Sequence, residues 1–395
     1  MSAGHSARQA GVAFYNDPRV RSIAYQAALA AAVGFLVYSA ASNGIDNLER
    51  AHITSGFGFW NTTAGFDISQ TLIPYDSQAS TYGRAFWVGL LNTLLVAGLG
   101  IVFATVLGFV IGISRLSKNW LLAKAAGGYV ETIRNIPLLL QLLFWYNAVL
   151  KSLPLARESI VIPGGAYLNN RGLFLPEPVF LYGFDAVVAA LIAGIVGAVI
   201  FYLWARKRQE RTGRQAPVAW VVLALVIGLP LAVFALKGFP LKFDYPQAGR
   251  FNITGGIEVL PEFAALLFGL TIYTAAFIAE VVRAGILAVS QGQIEAAYSL
   301  GLKPRPTLRL IVVPQAMRVI IPPLTSQYLN LTKNSTLAVA IGYPDLVQIF
   351  TGTVLNQTGQ AVTIVGVTMA VYLAISLVTS LLMNLYNRRV ALVER

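Results

Sequence analysis

Long apolar runs separated by shorter polar stretches dominate this chain. A helix needs about 20 apolar residues to cross the hydrocarbon core of a bilayer, and eight runs reach or approach that length. They fall at 22–42, 86–113, 126–150, 185–204, 217–236, 262–287, 318–341 and 362–386. This pattern predicts an all-α polytopic membrane protein with about eight transmembrane helices. The first run has a basic flank but no clear cleavage pattern, so we interpret it as a retained helix rather than a signal peptide.

The composition narrows the class further. Of 395 residues, 56% are hydrophobic and only 12% are charged, whereas soluble domains carry about 25% charged residues. The chain has no cysteine, and His5 and His52 fall in a tail and a loop, so we expect no metal site and no cofactor. The net charge of +12 fits basic cytoplasmic loops. It does not indicate nucleic acid, because no basic patch alternates with base-stacking aromatic residues.

The distribution of Lys and Arg predicts the orientation. With the N-terminus inside, the inner segments hold more than twice as many of these residues as the outer loops, which favours both termini in the cytoplasm. The expected organisation is a cytoplasmic tail (1–21), a first helix (22–42), a periplasmic loop (43–85), a transmembrane domain (86–386) and a C-terminal tail (387–395).

The predicted spans differ in polarity. Segments 185–204 and 217–236 are apolar throughout and are joined by the basic turn "ARKRQERTGRQ", so we expect an inserted, lipid-facing hairpin over about 185–236. The spans within 86–150 and 262–386 contain Asn, Gln, Thr, Ser, Pro and Gly. Polar groups at membrane depth must face protein or water. These five spans are therefore the predicted working core.

One stretch, "QGQIEAAYSLGLKPRPTLRLIVVP" (291–314), differs in composition from the apolar spans. Its pattern predicts a short helix of the kind found in soluble proteins, within a cytoplasmic loop at about 288–317. Ser290 and Gln293 have capping-box spacing, Gly301 suits a helix end, and prolines follow. The residues predicted to share one face, at positions i, i+3, i+4 and i+7, are Ile294, Ala297, Tyr298 and Gly301.

A helix over 291–301 is marginal by itself and needs a groove in which to dock. Its residues predicted to be exposed include small ones that let a partner approach closely, namely Gly292, Ala296, Ala297 and Gly301. A helix that rests on lipid headgroups instead usually carries large apolar and basic residues. We therefore expect this helix to bind a protein partner.

The same stretch resembles the EAA loop of ABC-transporter permeases. Glu295-Ala296-Ala297 is followed by three residues, Gly301, nine residues, and then Ile311, Val313 and Pro314, with valine in place of leucine as the only departure. The segments "YVETIRNIPLLLQLLFWY" and "PQAMRVIIPPLTSQYLNLTKNSTLA" are similar to polar amino acid permeases. "GFDISQTLIPYD" and "LNNRGLFLPEP" are similar to the general L-amino acid permeases among them.

This resemblance implies a type I ABC importer permease, with a core of five helices plus the N-terminal helix and the hairpin. The loop helix would be the coupling helix, which sits in a cleft of an ATPase subunit. The residues assigned to coupling by the resemblance are Glu295, Ala296, Ala297, Gly301 and Pro314. The partners implied are an ATPase dimer, a second, non-identical permease, a periplasmic amino-acid-binding protein and an L-amino acid substrate.

The chain contains no G-x-x-x-x-G-K-[ST] phosphate loop, so we expect another subunit to hydrolyse ATP. The alternative is an ion-coupled secondary amino acid carrier, which needs acidic residues at mid-membrane.

Glu131 with Arg134, and Glu280 with Arg283, stand at i, i+3 near predicted cytoplasmic ends. They are either structural ion pairs or parts of a gate or substrate contact. No nucleophile–base–acid set is present, so we do not expect an enzyme.

Polar residues inside the core spans are the candidates for the transport pathway. Asn92 and Thr93 interrupt one span, and we interpret them as an interhelical hydrogen bond. Gln141 follows Pro137, which should kink or break its helix, and it either faces the pathway or packs inside. The densest polar group lies in the seventh run and comprises Asn330, Thr332, Lys333, Asn334, Ser335 and Thr336.

So many polar groups at that depth predict an unwound or cavity-lining segment. We expect Asn334, Ser335 and Thr336 to hold the charged or amide groups of an amino acid, and Lys333 to favour its carboxylate. Packing between helices is the alternative role for these residues.

Overall fold

The computed structural model of this protein describes residues 18–50, 56–249 and 252–390. Within these ranges seven helices are long and apolar enough to cross a membrane, or eight if one bent pair counts as a span. The predictions for His5 and His52 lie outside the described residues. The helices are α1 (Pro18–Arg50), α2 (Tyr82–Ser114), α3 (Trp120–Asn135), α4 (Leu138–Leu150), α5 (Phe184–Thr212), α6 (Val218–Leu236), α7 (Pro261–Leu287), α8 (Gln291–Ser299), α9 (Pro304–Ile341), α10 (348–358) and α11 (Ala361–Val390).

The core forms around α7, which packs against α2 on one side and α9 on the other. Small residues bring the helices close: a Cβ on Gly112 would lie 2.7 Å from the carbonyl oxygen of Ala279, and one on Gly285 would lie 2.3 Å from Cγ1 of Ile320. Such approaches favour helix association in lipid through van der Waals contact between backbones. The five predicted core spans correspond to α2, α3 with α4, α7, α9 and α11.

The span predicted at 126–150 is broken. Helices α3 and α4 meet at an angle of 104°. Pro137 has no N–H to donate and disfavours helical geometry at the residue before it, and Ile136 accordingly has extended backbone angles (φ −100°, ψ 126°). Gln141 repairs the break, because its side-chain amide nitrogen donates to the carbonyl oxygens of Ile133 and Ile136, each at 2.9 Å.

The segments that flank the hairpin on the predicted outer side form short strands, where the sequence suggested only loops. The strands are β1 (Ile160–Ile162), β2 (Ala166–Asn169), β3 (Gly172–Leu175), β4 (Glu177–Phe180), β5 (Leu241–Asp244), β6 (Gln247–Ala248), β7 (Ile253–Thr254) and β8 (Ile257–Val259). One antiparallel sheet has the order β1-β2-β3-β8, and β4 pairs with β5. Because β8 leads directly into α7 and β1 follows α4, this sheet joins the outer ends of two core spans.

Helices α5 and α6 lie side by side, as the sequence predicts for the hairpin. A Cβ on Gly194 would lie 2.0 Å from the carbonyl oxygen of Leu225, so the two backbones are in direct contact. The β4–β5 ribbon extends the pairing beyond the helices, with Pro178 opposite Phe243. The outward surface of α5 is apolar and exposed.

The described part of the predicted outer loop, residues 56–81, packs onto the core. A short 3-10 helix (Gly58–Asn61) places Trp60 against Phe86 and Phe350, with ring centroids 5.2 Å and 6.1 Å away. The hydroxyl of Tyr82 donates to Oε1 of Gln357 at 2.9 Å. This loop therefore joins the start of α2 to α10.

Replacing Gly112 by alanine should loosen the α2–α7 contact. The new methyl group would overlap a backbone oxygen that cannot move without shifting α7, and overpacking of this kind costs about 1–3 kcal/mol. We expect a lower thermal midpoint for the purified protein. The control is Gly98→Ala on the same helix, where nothing lies within 4 Å of the added Cβ. Equal midpoints for the two variants would contradict the close contact.

Candidate functional site

A cavity of about 310 Å³ lies between α7 and α9, near the lower end of the volumes typical of ligand sites, which begin at about 300 Å³. Residues 273–277 fall near the middle of α7, which has 27 residues, so the cavity is deep along the span. The lining residues are Tyr273, Thr274, Phe277, Gln327, Asn330 and Asn334.

The helix changes form beside this cavity. Helix α9 is α-helical up to Asn334 and continues as a 3-10 helix from Ser335 to Ile341, where Gly342 ends it with a left-handed backbone (φ 78°). The sequence predicts an unwound or cavity-lining segment at this place. Asn330 and Asn334 do line the cavity, while the backbone tightens rather than unwinds.

The structure separates the other candidates from the cavity. The Ser335 side chain is fully buried and its hydroxyl donates to the carbonyl oxygen of Thr332 at 2.7 Å. The hydroxyl of Thr336 donates to the carbonyl oxygen of Lys333 at 2.7 Å. Lys333 is exposed and is not among the residues that line this cavity. Its contact with substrate stays a prediction, and so does that of the two hydroxyl residues.

Gln141 lies elsewhere. Its amide nitrogen is used at the α3–α4 break, and its Oε1 is buried without a hydrogen-bond partner among the described residues. It borders a second, mostly apolar cavity of about 330 Å³, together with Trp145 and Phe144. The geometry gives this residue a structural role, and its place in a transport pathway stays a prediction.

Sequence reasoning overlooked three polar residues that line the first cavity. Gln327 stands three and seven positions before Asn330 and Asn334, and this spacing places all three amides on one face of α9. This periodicity could have identified Gln327 from the sequence. Tyr273 and Thr274 interrupt an apolar run in α7, but nothing in the sequence says that α7 and α9 face each other here.

A charged cluster lies near the C-terminal end of α7. Glu280 bridges two arginines: it pairs with Arg115 at the end of α2 and with Arg283 one turn further along α7, the latter at 2.7 Å. The predicted pair of Glu280 with Arg283 is thus present, and Arg115 was not anticipated. Because Arg115 belongs to another helix, the cluster ties α2 to α7.

The other predicted ion pair is wrong. Among the described residues Glu131 forms no salt bridge with Arg134. The guanidinium of Arg134 instead lies over the ring of Phe277, 5.0 Å from the ring centroid. This cation–π contact brings a positive charge next to a residue that lines the cavity.

The short helix α8 is present and shows a definite inner and outer side. Ala297 is only 2% exposed and Ile294 is half-buried, so these two side chains seat the helix on the protein. Glu295, Ala296 and Tyr298 are exposed. The free surface therefore combines an acid, a small residue and an aromatic ring.

The end of α8 follows the prediction. The N–H of Gly301 donates to the carbonyl oxygen of Tyr298 at 2.9 Å, and the N–H of Leu302 donates to that of Ala297 at 3.1 Å. This is the Schellman arrangement. It requires the left-handed backbone at Gly301 (φ 75°), which glycine adopts without steric cost.

Two details of this helix differ from the prediction. Ser290 makes no side-chain capping bond, and Oε1 of Gln293 accepts from Nε2 of Gln315 at 3.2 Å instead. Ala297 faces the protein interior rather than a partner. Pro314 lies half-buried within α9, near the start of a regular α-helical stretch, and its role in coupling stays a prediction.

Asn92 and Thr93 form the interhelical link expected of them. The amide nitrogen of Asn92 donates to the carbonyl oxygen of Pro344 at 2.8 Å, and Oγ1 of Thr93 accepts from the N–H of Leu346 at 3.0 Å. Sequence reasoning missed Asp345, which is fully buried and accepts from the N–H of Gln348 at 2.8 Å. Together these residues fix the link between α9 and α10 against α2.

Comparison with known proteins adds an independent finding. Residues 212–392 match the family described as binding-protein-dependent transport system inner membrane component. The general L-amino acid transport system permease protein AapQ of Rhizobium johnstonii is 56% identical over 96% of this chain and 94% of its own length. The putative amino-acid ABC transporter permease protein YhdX of Escherichia coli is 52% identical over the whole of both chains.

A third relative is named for four amino acids. The glutamate/glutamine/aspartate/asparagine transport system permease protein BztB of Rhodobacter capsulatus is 43% identical over 96% of both chains. The similarity to all three relatives therefore includes the segments outside residues 212–392.

Replacing Glu280 by glutamine should destabilise the junction of α2 and α7, because two guanidinium groups would then face each other without a carboxylate. We expect a lower thermal midpoint for the purified protein, and a smaller further loss when Arg115→Gln is added. Glu131→Gln is the control, since Glu131 is exposed and forms no salt bridge in the described residues. Strictly additive losses from Glu280 and Arg115 would argue against the bridge.

Proposed function

Because the chain belongs to the permease subunits of amino acid ABC transporters, we propose that it forms one half of the translocation pathway of an ATP-driven importer for L-amino acids. A periplasmic binding protein delivers the amino acid to the outer side. A separate ATPase dimer supplies the energy, and its closure moves the core helices between outward-open and inward-open arrangements.

The observation that carries this proposal is the helix α8 between two core spans. It is seated by Ala297 and ended by Gly301, and it leaves Glu295, Ala296 and Tyr298 free on one side. A nine-residue helix held in this way suits a groove in a partner and transmits movement to both α7 and α9, because the chain enters from one and leaves into the other. We propose that this groove belongs to the ATPase.

The partner count follows from the same helix. The described residues contain one such coupling element, whereas an ATPase dimer presents two equivalent clefts. A second permease is needed to occupy the other cleft and to close the pathway. We propose a non-identical second permease.

The cavity favours an amino acid as the cargo. Its polar lining consists of the side-chain amides of Gln327, Asn330 and Asn334 and the hydroxyls of Thr274 and Tyr273. An amide group donates to a carboxylate and accepts from an ammonium group, so a neutral set of amides suits the zwitterionic part that all amino acids share. Phe277 supplies an apolar surface for a side chain. We propose that this site contacts the substrate during passage.

An ion-coupled secondary carrier is the competing function. It needs an acidic residue in the pathway that exchanges a proton or sodium ion. The lining of the described cavity contains no carboxylate, and Glu280 is held between two arginines. Uptake that stops when ATP hydrolysis is blocked, and continues when the ion gradients are collapsed, separates the two functions in favour of the importer.

Replacing Gly301 by aspartate should release the ATPase. The change puts a charged side chain at the end of α8 and strains its left-handed backbone. The control is Gly359→Asp, because Gly359 has a similar backbone (φ 66°) and open space around it but ends α10 instead. When the tagged chain is purified with its partners, we expect the ATPase to be lost with Gly301→Asp and retained with Gly359→Asp.

Two results would contradict this assignment. If no ATPase accompanies the unmodified chain, the importer function fails as a whole. If the ATPase accompanies Gly301→Asp as strongly as the control, then α8 is not the docking helix, although an importer with another contact would survive.

Replacing Asn334 by leucine should weaken substrate binding within the membrane domain. The loss of a hydrogen bond to a charged group lowers affinity by about tenfold or more. The assay is the dissociation constant of radiolabelled L-glutamate and L-leucine for the complex without its binding protein. Ser326→Leu, at an exposed position of the same helix outside the cavity lining, serves as the control. Binding of both ligands supports a general permease, and unchanged binding in the Asn334 variant would remove the cavity from the pathway.

A further inference from the structure

The α5–α6 hairpin stands apart from the rest of the membrane domain. Its two helices pack on each other, and neither makes an extensive contact with the five core spans in the described part of the chain. The outward side chains of α5 are more than half exposed and apolar, among them Ile192, Val199, Ile200 and Leu203. A large apolar surface of this kind is normally covered by a protein partner or by membrane lipid.

Aromatic residues mark both ends of this hairpin. Phe180 and Tyr182 are exposed just before α5 begins, and Trp204 and Trp220 are exposed near its other end. Aromatic side chains concentrate at the two membrane–water interfaces. From Phe184 to Trp204 the helix rises about 30 Å, which equals the thickness of a bilayer hydrocarbon core. These features define how deeply the hairpin sits in the bilayer and place Trp204 at one membrane–water interface.

A dense group of cations begins directly beyond that interface. Five basic residues fall within residues 206–214, all of them exposed, with Glu210 as the single acid among them. Arg206 pairs with Glu210 at 3.1 Å, and the guanidinium of Arg208 lies over the ring of Trp204, 5.3 Å from its centroid. The basic residues are Arg206, Lys207, Arg208, Arg211 and Arg214.

We propose that this group, the basic turn, is a binding site for the headgroups of anionic phospholipids. Guanidinium groups bind phosphate oxygens in a bidentate manner. Four or more basic residues that directly follow a membrane span favour an anionic lipid surface. Arg208 is already held at the level of Trp204, so its charge faces the depth at which a phosphodiester lies.

Chain connectivity places the basic turn on the same side of the membrane as α8. Helix α5 leads away from the β4–β5 ribbon, and α7 leads away from β8 of the neighbouring sheet, so the turn after α5 and the helix after α7 emerge together. The site thus lies in the leaflet that faces the ATPase in the proposed function. Lipid binding itself does not depend on which substrate is carried.

Lipid is favoured over a covering protein by the order of the features along α5. Apolar side chains, an aromatic ring and then cations follow one another as the layers of a bilayer leaflet do. A protein partner would have to match an apolar strip of about 30 Å and then supply several buried acids. Helices α2, α7 and α9, by contrast, bury much more of their surface within the chain than α5 or α6 does.

The absence of cysteine from this chain allows a local measurement. Gln209→Cys, within the basic turn, carries a fluorophore in a complex whose other subunits have no reactive cysteine. The complex is titrated in neutral detergent with phosphatidylglycerol or phosphatidylcholine, each with a quencher on its acyl chain. The test variant combines Lys207→Gln, Arg211→Gln and Arg214→Gln, which leaves the Arg206–Glu210 pair and the Arg208–Trp204 contact in place.

The matched control removes three exposed cations elsewhere on the same predicted side, with Lys118→Gln, Lys124→Gln and Arg388→Gln. We expect phosphatidylglycerol to quench at lower concentration than phosphatidylcholine in the unmodified and control proteins. In the test variant the half-saturating concentration of phosphatidylglycerol should rise by at least about tenfold, since each cation near an anionic surface contributes about fivefold. Added salt should weaken the preference in the same direction.

Four outcomes would overturn the proposal. Equal quenching by the two lipids removes the preference for anionic headgroups. A preference that survives in the test variant removes the basic turn as its source, and a loss of equal size in the control assigns it to the whole basic face. Failure of both lipids to quench means that a protein covers the hairpin. ATP-dependent uptake, measured on the same samples, tests the importer function separately.

Discussion

The close contact of α2 with α7 is the interaction on which the rest of the membrane domain depends. Helices in lipid gain little from the hydrophobic effect when they associate, so backbones that approach closely must supply the attraction. Gly108 and Gly112 allow this approach, since a Cβ at either position would overlap atoms of α7. The partner α7 then fixes α9 through Gly285. Both walls of the cavity, and the distance over which Glu280 reaches Arg115, follow from these contacts.

Hydrogen bonding divides the polar residues of the core into two groups. Gln141, Asn92, Thr93 and Ser335 donate to or accept from backbone groups of the protein, and so stabilise a broken helix, a loop and a 3-10 segment. Backbone groups at membrane depth have no water to bind, which explains why these side chains are used internally. The side-chain amides that line the cavity are the polar groups for which we propose a contact with substrate.

The hairpin and the core serve different physical demands. Core spans bury small and polar residues against one another, whereas the hairpin buries little beyond its own seam at Gly194 and exposes apolar side chains and a basic turn. The outer strands connect the two regions, because β4 and β5 continue the hairpin while β3 pairs with β8, which leads into α7. Any movement of α7 is therefore linked to the outer sheet and to α8 at the same time.

Sequence by itself determined the properties that depend on local composition and spacing. The spans, the hairpin and the short helix with its end at Gly301 all follow from hydrophobic periodicity and from the backbone freedom of glycine. The i, i+3 spacing allowed the pairing of Glu280 with Arg283, but the same spacing failed for Glu131 and Arg134. The EAA-like pattern pointed to the family because its residues lie within one short stretch.

Only the tertiary structure decided which helices face each other. It joined Gln327, Asn330 and Asn334 with Tyr273 into one cavity, turned Ser335 inward and left Lys333 outside. It also set the angle of the break at Pro137 to 104° and turned Ala297 toward the protein. The physical reason is that a polar residue within an apolar run has the same local signature whether it bonds to backbone or faces a cavity. The choice between these roles depends on atoms that are distant in the sequence.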